Sequence, residues 1–448
     1  MILNTHRFSN IQVLSLISVT LLGVLLSVSF DKPLVIGFLP GFIYLVVLVI
    51  RKGVPLKILG DISMKGIKKT QTVILILLLV SFVLPSWYMS GTINQLVSIS
   101  LHIITPEHFF LLTFIIAMFF SMILGTSVGT LSAVGIPIMS SALAINLSPE
   151  IVAGALISGA FVGDRTSPFS SSHQLLSHTV EVSGRKQLRA MSITTIFAIF
   201  IGMVFYGILD YQKEGKADYV TAFNLEQVSL IQFLPPLILI GTVIFRKGII
   251  YAFVSSILVA CLISLVRGKS ISDLINSLVY GVDEMGGGLA NMYLLLLFLA
   301  LAGAYNGFLE EFNIIQPILD GWLIKSTTLV EDTVKTIAAT FSISLIAANQ
   351  TLPIILTGRT FLPHWSKNQT KESLTRVMGD STMLFPGMIP WSVLAIMCST
   401  IVGVPIMAYL PYSIFLWVLP ILTIIVSVVK QKQQARANNL TEKRINIS

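Results

Sequence analysis

Charge is what this sequence has least of. Lys, Arg, Asp and Glu make up 11% of its 448 residues, against roughly 25% in a soluble domain. The 29 basic and 21 acidic side chains cannot solvate a soluble surface of this size. They are missing altogether from Gln71 to Pro106, from His108 to Pro149 and from Ser381 to Val429. Each gap exceeds the ~20 residues that cross a hydrocarbon core, which excludes a soluble enzyme or a nucleic-acid-binding protein. Cysteine is nearly as scarce. Cys261 and Cys398 both sit in apolar segments without metal-ligand spacing, which excludes a disulfide scaffold and a thiolate metal centre. The ~10-residue segments of alternating polarity that build a transmembrane barrel are also missing.

What is present is apolar sequence, 54% of the chain. It falls into segments near Ile11–Phe30, Pro33–Ile50, Gln71–Tyr88, His108–Leu124, Thr130–Ile145, Ile151–Val162 and Met191–Leu209. A second set follows near Ser229–Phe245, Ile249–Val266, Leu289–Leu309, Thr336–Ala348, Ile354–Leu362, Met383–Val402 and Met407–Val429. The pattern predicts an all-α, polytopic integral membrane protein with about 11–14 hydrophobic segments. The first segment lacks a small-residue cleavage site and reads as a retained helix.

Charge sets the predicted orientation. Arg51, Lys52, Lys57, Lys65, Lys68 and Lys69 face one acid, Asp61. Arg185, Lys186 and Arg189 form a second basic loop, and Lys430, Lys432, Arg436, Lys443 and Arg444 a basic tail. Positive loops stay inside, so both termini are expected in the cytoplasm, with Asp210–Glu226, carrying four acids, outside. The stretch Glu310–Lys325 fits this less well, with three acids and one Lys on the expected inner side. The expected location is the plasma membrane, multi-pass.

A shift of 216 residues lays segment 11–30 on 227–246, 33–50 on 249–266 and 191–210 on 407–426. Pro137-Ile138 falls on Pro353-Ile354, Gly163-Asp164 on Gly379-Asp380, Thr166 on Thr382 and Phe169 on Phe385. Two repeats are expected, residues 1–216 and 217–430, followed by a cytoplasmic tail, 431–448. The first starts inside and the second outside, so they are inverted, with broken helices or re-entrant hairpins at the site.

Three constellations carry chemistry. In Gly125–Pro137, glycines and a proline weaken the helix while Thr126, Ser127, Thr130 and Ser132 offer hydroxyl oxygens suited to a hard cation. Gly163–Gln174 holds Asp164, Arg165, Thr166, Ser167, Ser170, Ser171, His173 and Gln174. An Asp or Arg at mid-bilayer costs ~2.5–3.5 kcal/mol on insertion scales and is a site hypothesis by default. Neighbours on a helix point ~100° apart, so Asp164 is free to face a cavity while Arg165 pairs elsewhere; helix capping by Asp164, or pairing with Arg165, are the plainer alternatives. A carboxylate that holds a proton or a cation in turn is the simplest antiport device. The counterpart is Gly379-Asp380-Ser381-Thr382, with Asn349 and Gln350 interrupting an apolar run upstream and Arg359 nine residues after Gln350. His173 and His178 are five apart and cannot share a helix face for a metal; no cofactor motif is present, and Na+ and H+ enter only as transported ions.

At these residues the chain resembles the NhaC family of Na+/H+ antiporters, within the ion transporter superfamily. The resemblance is densest in GTSVGTLSAVGIPIM (Gly125–Met139), SGAFVGDRTSPFS (Ser158–Ser170), and GDSTMLFPGMIPW with GVPIMAYLPY (Gly379–Tyr412). It implies an inverted-repeat transporter, usually a homodimer, that exchanges Na+ for H+; some relatives carry malate, lactate or amino acids. The family's Ser-Asp-Thr-Thr-Asn is here Ser170-Ser171-Ser172-His173-Gln174, with Ser171 in place of an acid. The expected function is therefore NhaC-type Na+/H+ antiport by alternating access, with H+- or Na+-coupled movement of a small organic solute as the alternative. An intramembrane aspartyl protease would need a close carboxylate pair sharing a proton, and a passive channel would not need paired broken segments.

Overall fold

Runs this apolar can satisfy their backbone only within themselves, and they do so as helices. The computed structural model describes residues 8–30, 32–93, 95, 106–212, 229–245, 247–282, 288–315, 328–347 and 349–445, and among them it contains helices and no strand. The first half runs α1 (Asn10–Ser29), α2 (Leu34–Arg51), α3 (Leu56–Met89) and α4 (Phe109–Leu124). It continues with α5 (Ser127–Thr130), a π-helical turn (Leu131–Gly135), α6 (Ile136–Ala144), α7 (Pro149–Thr166), α8 (Ser171–Val180) and α9 (Gly184–Tyr211). The second half runs α10 (Leu234–Ile244), α11 (Ile249–Val266), α12 (Ile271–Tyr280), α13 (Leu289–Glu311) and α14 (Leu329–Ala347). Then come α15 (Thr351–Asn368), α16 (Lys371–Asp380), α17 (Val393–Val402), α18 (Ile406–Tyr409) and α19 (Ile414–Ile445).

Among the described residues, α1, α2, α3, α9, α11, α13 and α19 contain stretches long and apolar enough to span a bilayer. The bent pair Val393–Val402 and Ile406–Tyr412, at 83°, makes an eighth candidate. The protein is an all-α, polytopic membrane protein.

Several segments differ in detail from their hydrophobic outlines. Gln71–Tyr88 is the second half of the 34-residue α3, whose first half carries Lys57, Lys65, Lys68 and Lys69 of the basic cluster on a continuous helix. Met383–Val402 is α-helical only from Val393, because Pro386, Gly387 and Pro390 limit the stretch before it to a short 3-10 turn at Phe385–Gly387. Of the acidic loop at Asp210–Glu226, residues 213–226 lie outside the described residues, as does the boundary at 216/217. Asp210 itself caps α4: its carboxylate accepts the backbone N–H of Phe110 at 3.0 Å and of Leu111 at 2.9 Å, where a negative charge meets the helix dipole. Residues 316–325 of Glu310–Lys325 also fall outside the described set.

Glycine sets how closely the helices approach. In Gly159-Ala-Phe-Val-Gly163, the two glycines let α7 lie against α4. A Cβ on Gly163 would stand 2.0 Å from the Ser121 carbonyl oxygen. That same Ser121 hydroxyl accepts the Gly163 N–H at 2.8 Å and donates to the Ala160 carbonyl. Gly303 and Gly307 of α13 play the same part against Gly66 of α3. Gly163→Ala forces two backbones apart and is expected to cost about 1–3 kcal/mol or more. A lowered unfolding temperature of the purified protein checks this; an unchanged one contradicts it.

The helix pairings come in corresponding sets. α1 packs on α2 and α10 on α11; α2 packs on α13 and α11 on α3. α4 packs on α9 and α14 on α19; α7 packs on α19 and α16 on α9.

Candidate ion-binding site

Two helices end inside the bundle, and each ends on an aspartate or just past one. α7 stops at Thr166, two residues after Asp164, where Ser167 turns into extended backbone and Pro168 follows. α16 stops at Asp380 ahead of the irregular Ser381–Trp391 segment. Against the first of them lies the break after α4, where Gly125 takes a left-handed φ of +69°. A side chain there would collide with the backbone of Phe169 and Ser170, so only glycine lets the α4–α5 turn sit against the α7–α8 turn.

Asp164 is buried, 6% exposed. Its carboxylate accepts the Ser127 N–H at the start of α5, at 3.4 Å, and Gln350 Nε2 at 3.2 Å. Both donors are neutral, and no ion pair to Asp164 exists among the described residues. Gln350 is itself fixed: Nε2 also donates to the Met383 carbonyl at 2.8 Å, and Oε1 accepts from Ser172 Oγ at 2.6 Å. The Ser127 hydroxyl is buried on the residue whose N–H meets the carboxylate, and has no partner among the described residues. Carboxylate, hydroxyl and amide oxygens are the ligand types of a hard cation.

Arg165 points elsewhere, as its helical phase requires. It forms an ion pair with Asp380 in which both side chains are fully buried. Its Nε donates to the Gly379 carbonyl at 2.9 Å, and its terminal nitrogens to Thr195 Oγ1 at 2.6 Å and Thr194 Oγ1 at 3.3 Å. Thr194 Oγ1 also donates to Asp380 at 3.1 Å. Asp380 is therefore paired with Arg165 through Oδ1, while its Oδ2 is buried without a hydrogen-bond partner among the described residues.

The other residues expected at the site divide into three groups. Some close the turns: Ser170 Oγ donates to the Asp164 carbonyl and accepts the His173 N–H. Ser167 Oγ donates to the Met122 carbonyl, and His173 Nδ1 lies 2.8 Å from the Arg165 carbonyl. Others satisfy their own helices. Thr166 donates to the Val162 carbonyl, Ser381 to the Val377 carbonyl and Thr130 to the Thr126 carbonyl. Thr126 Oγ1 accepts the Gly129 N–H, and Asn349 caps α15 by accepting the Leu352 N–H at 2.9 Å. Thr382 accepts from Thr340, joining the α16 end to α14. The third group lies away from the carboxylate. Ser171 and Gln174 are exposed on α8, Gln174 donates to the Pro168 carbonyl, and Arg359 is exposed on α15.

Four residues at or near the site are not among the candidates put forward from the sequence. Ser172 and not Ser171 faces Gln350. Gln187 donates to the His173 carbonyl at 3.0 Å, and Thr194 joins the Arg165–Asp380 pair. Arg376 is 1% exposed and donates to the Thr423 carbonyl and Ser427 Oγ. Its position four residues before Asp380, the spacing of an intrahelical ion pair, is the signal that sequence offers for it.

Comparison with known proteins adds the following. The Na+/H+ antiporter family matches residues 2–209 and 185–430. The Na+/H+ antiporter NhaC of Bacillus subtilis is 26% identical over 403 residues, covering 85% of this chain and 88% of the relative. The Na+/H+ antiporter NhaC of Alkalihalophilus pseudofirmus is 26% identical, covering 83% and 86%. The malate-2H+/Na+-lactate antiporter of Bacillus subtilis is 25% identical, covering 89% and 90%.

Proposed function

The chain belongs to the Na+/H+ antiporter family, and from that premise we propose that it exchanges Na+ for H+ by alternating access, with Asp164 occupied by each ion in turn. The observation that carries this reading is the Asp164 carboxylate itself, buried, bonded only to neutral donors and without a cationic partner among the described residues. A buried charge without a counter-charge is costly. Such a group is made neutral by a proton or matched by a cation, and an exchanger needs that choice. The orphaned Ser127 hydroxyl supplies a further oxygen to Na+ when the proton has left.

Residues 1–216 and 217–430 act as two inverted repeats, and 431–448 as a tail. The corresponding helix pairings support this division, as does the place of the site, where Ser127 of the first half and Gln350 of the second meet on one carboxylate. Displacing the α14–α15 turn relative to α7 would withdraw Gln350 from Asp164, a direct way to couple occupancy to rearrangement. The basic tail, the lysines around Lys65 on α3 and the basic start of α9 at Arg185 face the cytoplasm of a cell whose plasma membrane holds the protein.

The test is proton flux in sealed liposomes on imposing a Na+ gradient. Na+-driven flux against an imposed pH gradient supports the reading; flux indifferent to Na+ overturns it. Gln350→Leu removes one donor from Asp164 and is expected to lower apparent Na+ affinity while the protein stays folded. An unchanged Na+ dependence would contradict the part given to Gln350.

A further inference from the structure

Gln350 is the second half's contribution to Asp164, and its other partners decide how its amide is turned. A primary amide has one end that donates and one that accepts. The Met383 carbonyl, 2.8 Å from Nε2, can only accept, so the nitrogen end faces it. The same nitrogen meets Asp164 Oδ2 at 3.2 Å. Oε1 is left facing Ser172, whose hydroxyl donates to it at 2.6 Å. Ser172 is buried on the first turn of α8. That turn is tied to the end of α7 by Ser170, whose hydroxyl donates to the Asp164 carbonyl and accepts the His173 N–H. Ser172 is thus carried on a frame fixed to Asp164, and it grips an amide carried by the α14–α15 turn.

An N–H donor stabilises an ionised carboxylate and offers nothing to the proton of a neutral one. Held this way, the amide favours the form of Asp164 that takes Na+ over the form that carries H+. A hydroxyl bonded to Oε1 polarises the amide and strengthens its N–H bonds, because hydrogen bonds in a chain reinforce one another. The ionisable groups around this relay are engaged elsewhere. Arg165 pairs with Asp380, and His173 Nδ1 lies between the Arg165 carbonyl and Gln187. The buried Cys398 thiol of α17 feels the Asp164 charge without a hydrogen bond to it among the described residues. The charges of α9 lie in its first two turns and at Asp210, those of α19 begin at Lys430, and on α15 the first is Arg359. We propose that Ser172 is a positioning residue for the exchange and sets how strongly Asp164 prefers Na+ to H+, by holding the Gln350 amide with its N–H on the carboxylate. The proposal rests on the Na+/H+ reading above and supplies the residue that tunes it.

The experiment is Na+-driven proton flux of the full chain in sealed liposomes, with the apparent KM for Na+ followed across pH. Where H+ competes for Asp164, KM rises as pH falls below a breakpoint. Ser172→Ala weakens the donor on the carboxylate, so Na+ binds less well and H+ better. KM at alkaline pH should rise about three- to tenfold, and the breakpoint should move to higher pH by about 0.5–1 unit, the worth of one hydrogen bond. Ser172→Thr keeps the hydroxyl and should restore most of both. Adding Ser172→Ala to Gln350→Leu should change neither further, since Ser172 acts through Gln350. A purely structural role would lower the maximal rate and leave KM and breakpoint in place. That result, a Thr variant as impaired as the Ala variant, or additive effects with Gln350→Leu overturns the proposal. If Ser172→Ala does not fold, Ser172→Cys, whose thiol is a weak donor, is held to the same expectations. Wild-type flux indifferent to Na+ sinks the Na+/H+ reading and this inference with it. Exchange by the wild type, with KM and breakpoint unmoved in the variant, sinks this inference alone.

Discussion

Asp164→Asn is expected to reduce Na+-driven proton flux in proteoliposomes to the level of protein-free vesicles. Asn has nearly the shape of Asp but neither releases a proton nor carries the charge that holds a cation. The fold should survive the change. The amide oxygen of the variant side chain can still accept from Ser127 N–H or Gln350 Nε2, the two donors on the wild-type carboxylate. One of the two contacts is lost, a cost of about 1–3 kcal/mol, while the burden of a buried charge is relieved. The purified variant should therefore elute as the wild type does and unfold at a similar temperature. Residual flux near the wild-type rate in a folded variant would remove Asp164 from the exchange step. A variant that does not fold calls for Asp164→Glu, which keeps the charge but displaces it, and which should retain coupled flux at reduced rate and altered Na+ affinity.

The parts of this site visible in the sequence are those that depend on one residue's cost. A carboxylate in an apolar run is conspicuous because burial is expensive, so Asp164 and Asp380 could be picked out, and the helical phase alone separated Asp164 from Arg165. Which hydroxyl faces the site depends on phase within a short helix, and α8 turns Ser172 and not Ser171 toward Gln350. That matters for the missing family acid: the position it would occupy, Ser171, is exposed, while its buried neighbour Ser172 is the one bonded to Gln350. Arg376 was hidden for the opposite reason to Asp164. It sits in Lys371–Asp380, whose polar sequence reads as a solvated segment, yet the helix is packed against α9, α15 and α19 and buries the side chain. A cavity between α3, α13 and α15 was illegible altogether, because Lys69, Asn306 and Arg359, which line it, come from three helices far apart in sequence and no local pattern links them. The long helices followed from hydrophobic runs, whereas the polar α8 and α16 did not; the breaks after α4 and α7 sit at Gly125 and Pro168, whose backbone effects are local.

Asp380→Asn should destabilise the fold more than any other single change in the site, by about 3–5 kcal/mol, the cost of breaking a buried ion pair from one side. Asp380 is fully buried, as is the Arg165 with which it pairs, and the buried Arg376 lies four residues earlier on the same helix. Removing the carboxylate charge leaves both guanidinium groups in the bundle without an anion among the groups they are seen to contact, which are threonine and serine hydroxyls and backbone carbonyls. Arg165→Met alone strands Asp380 with Thr194 as its remaining observed donor, and should also be costly. The two changes together remove a charge pair as a unit and should cost less than the sum of the singles, with a coupling of about 0.5–3 kcal/mol in a double-mutant cycle. The readout is the unfolding temperature of the four purified proteins, alongside Na+-driven flux in whichever variants fold. Additive losses would mean that the pair does not act as one element. Loss of coupled flux in a fully stable Asp380→Asn would mean that Asp380 takes part in ion binding, and not only in holding α16 to α7 beside Asp164. The expected pattern is the reverse: stability falls sharply, and the double variant that regains it regains exchange with it, because Asp164 keeps its own donors from Ser127 and Gln350 throughout.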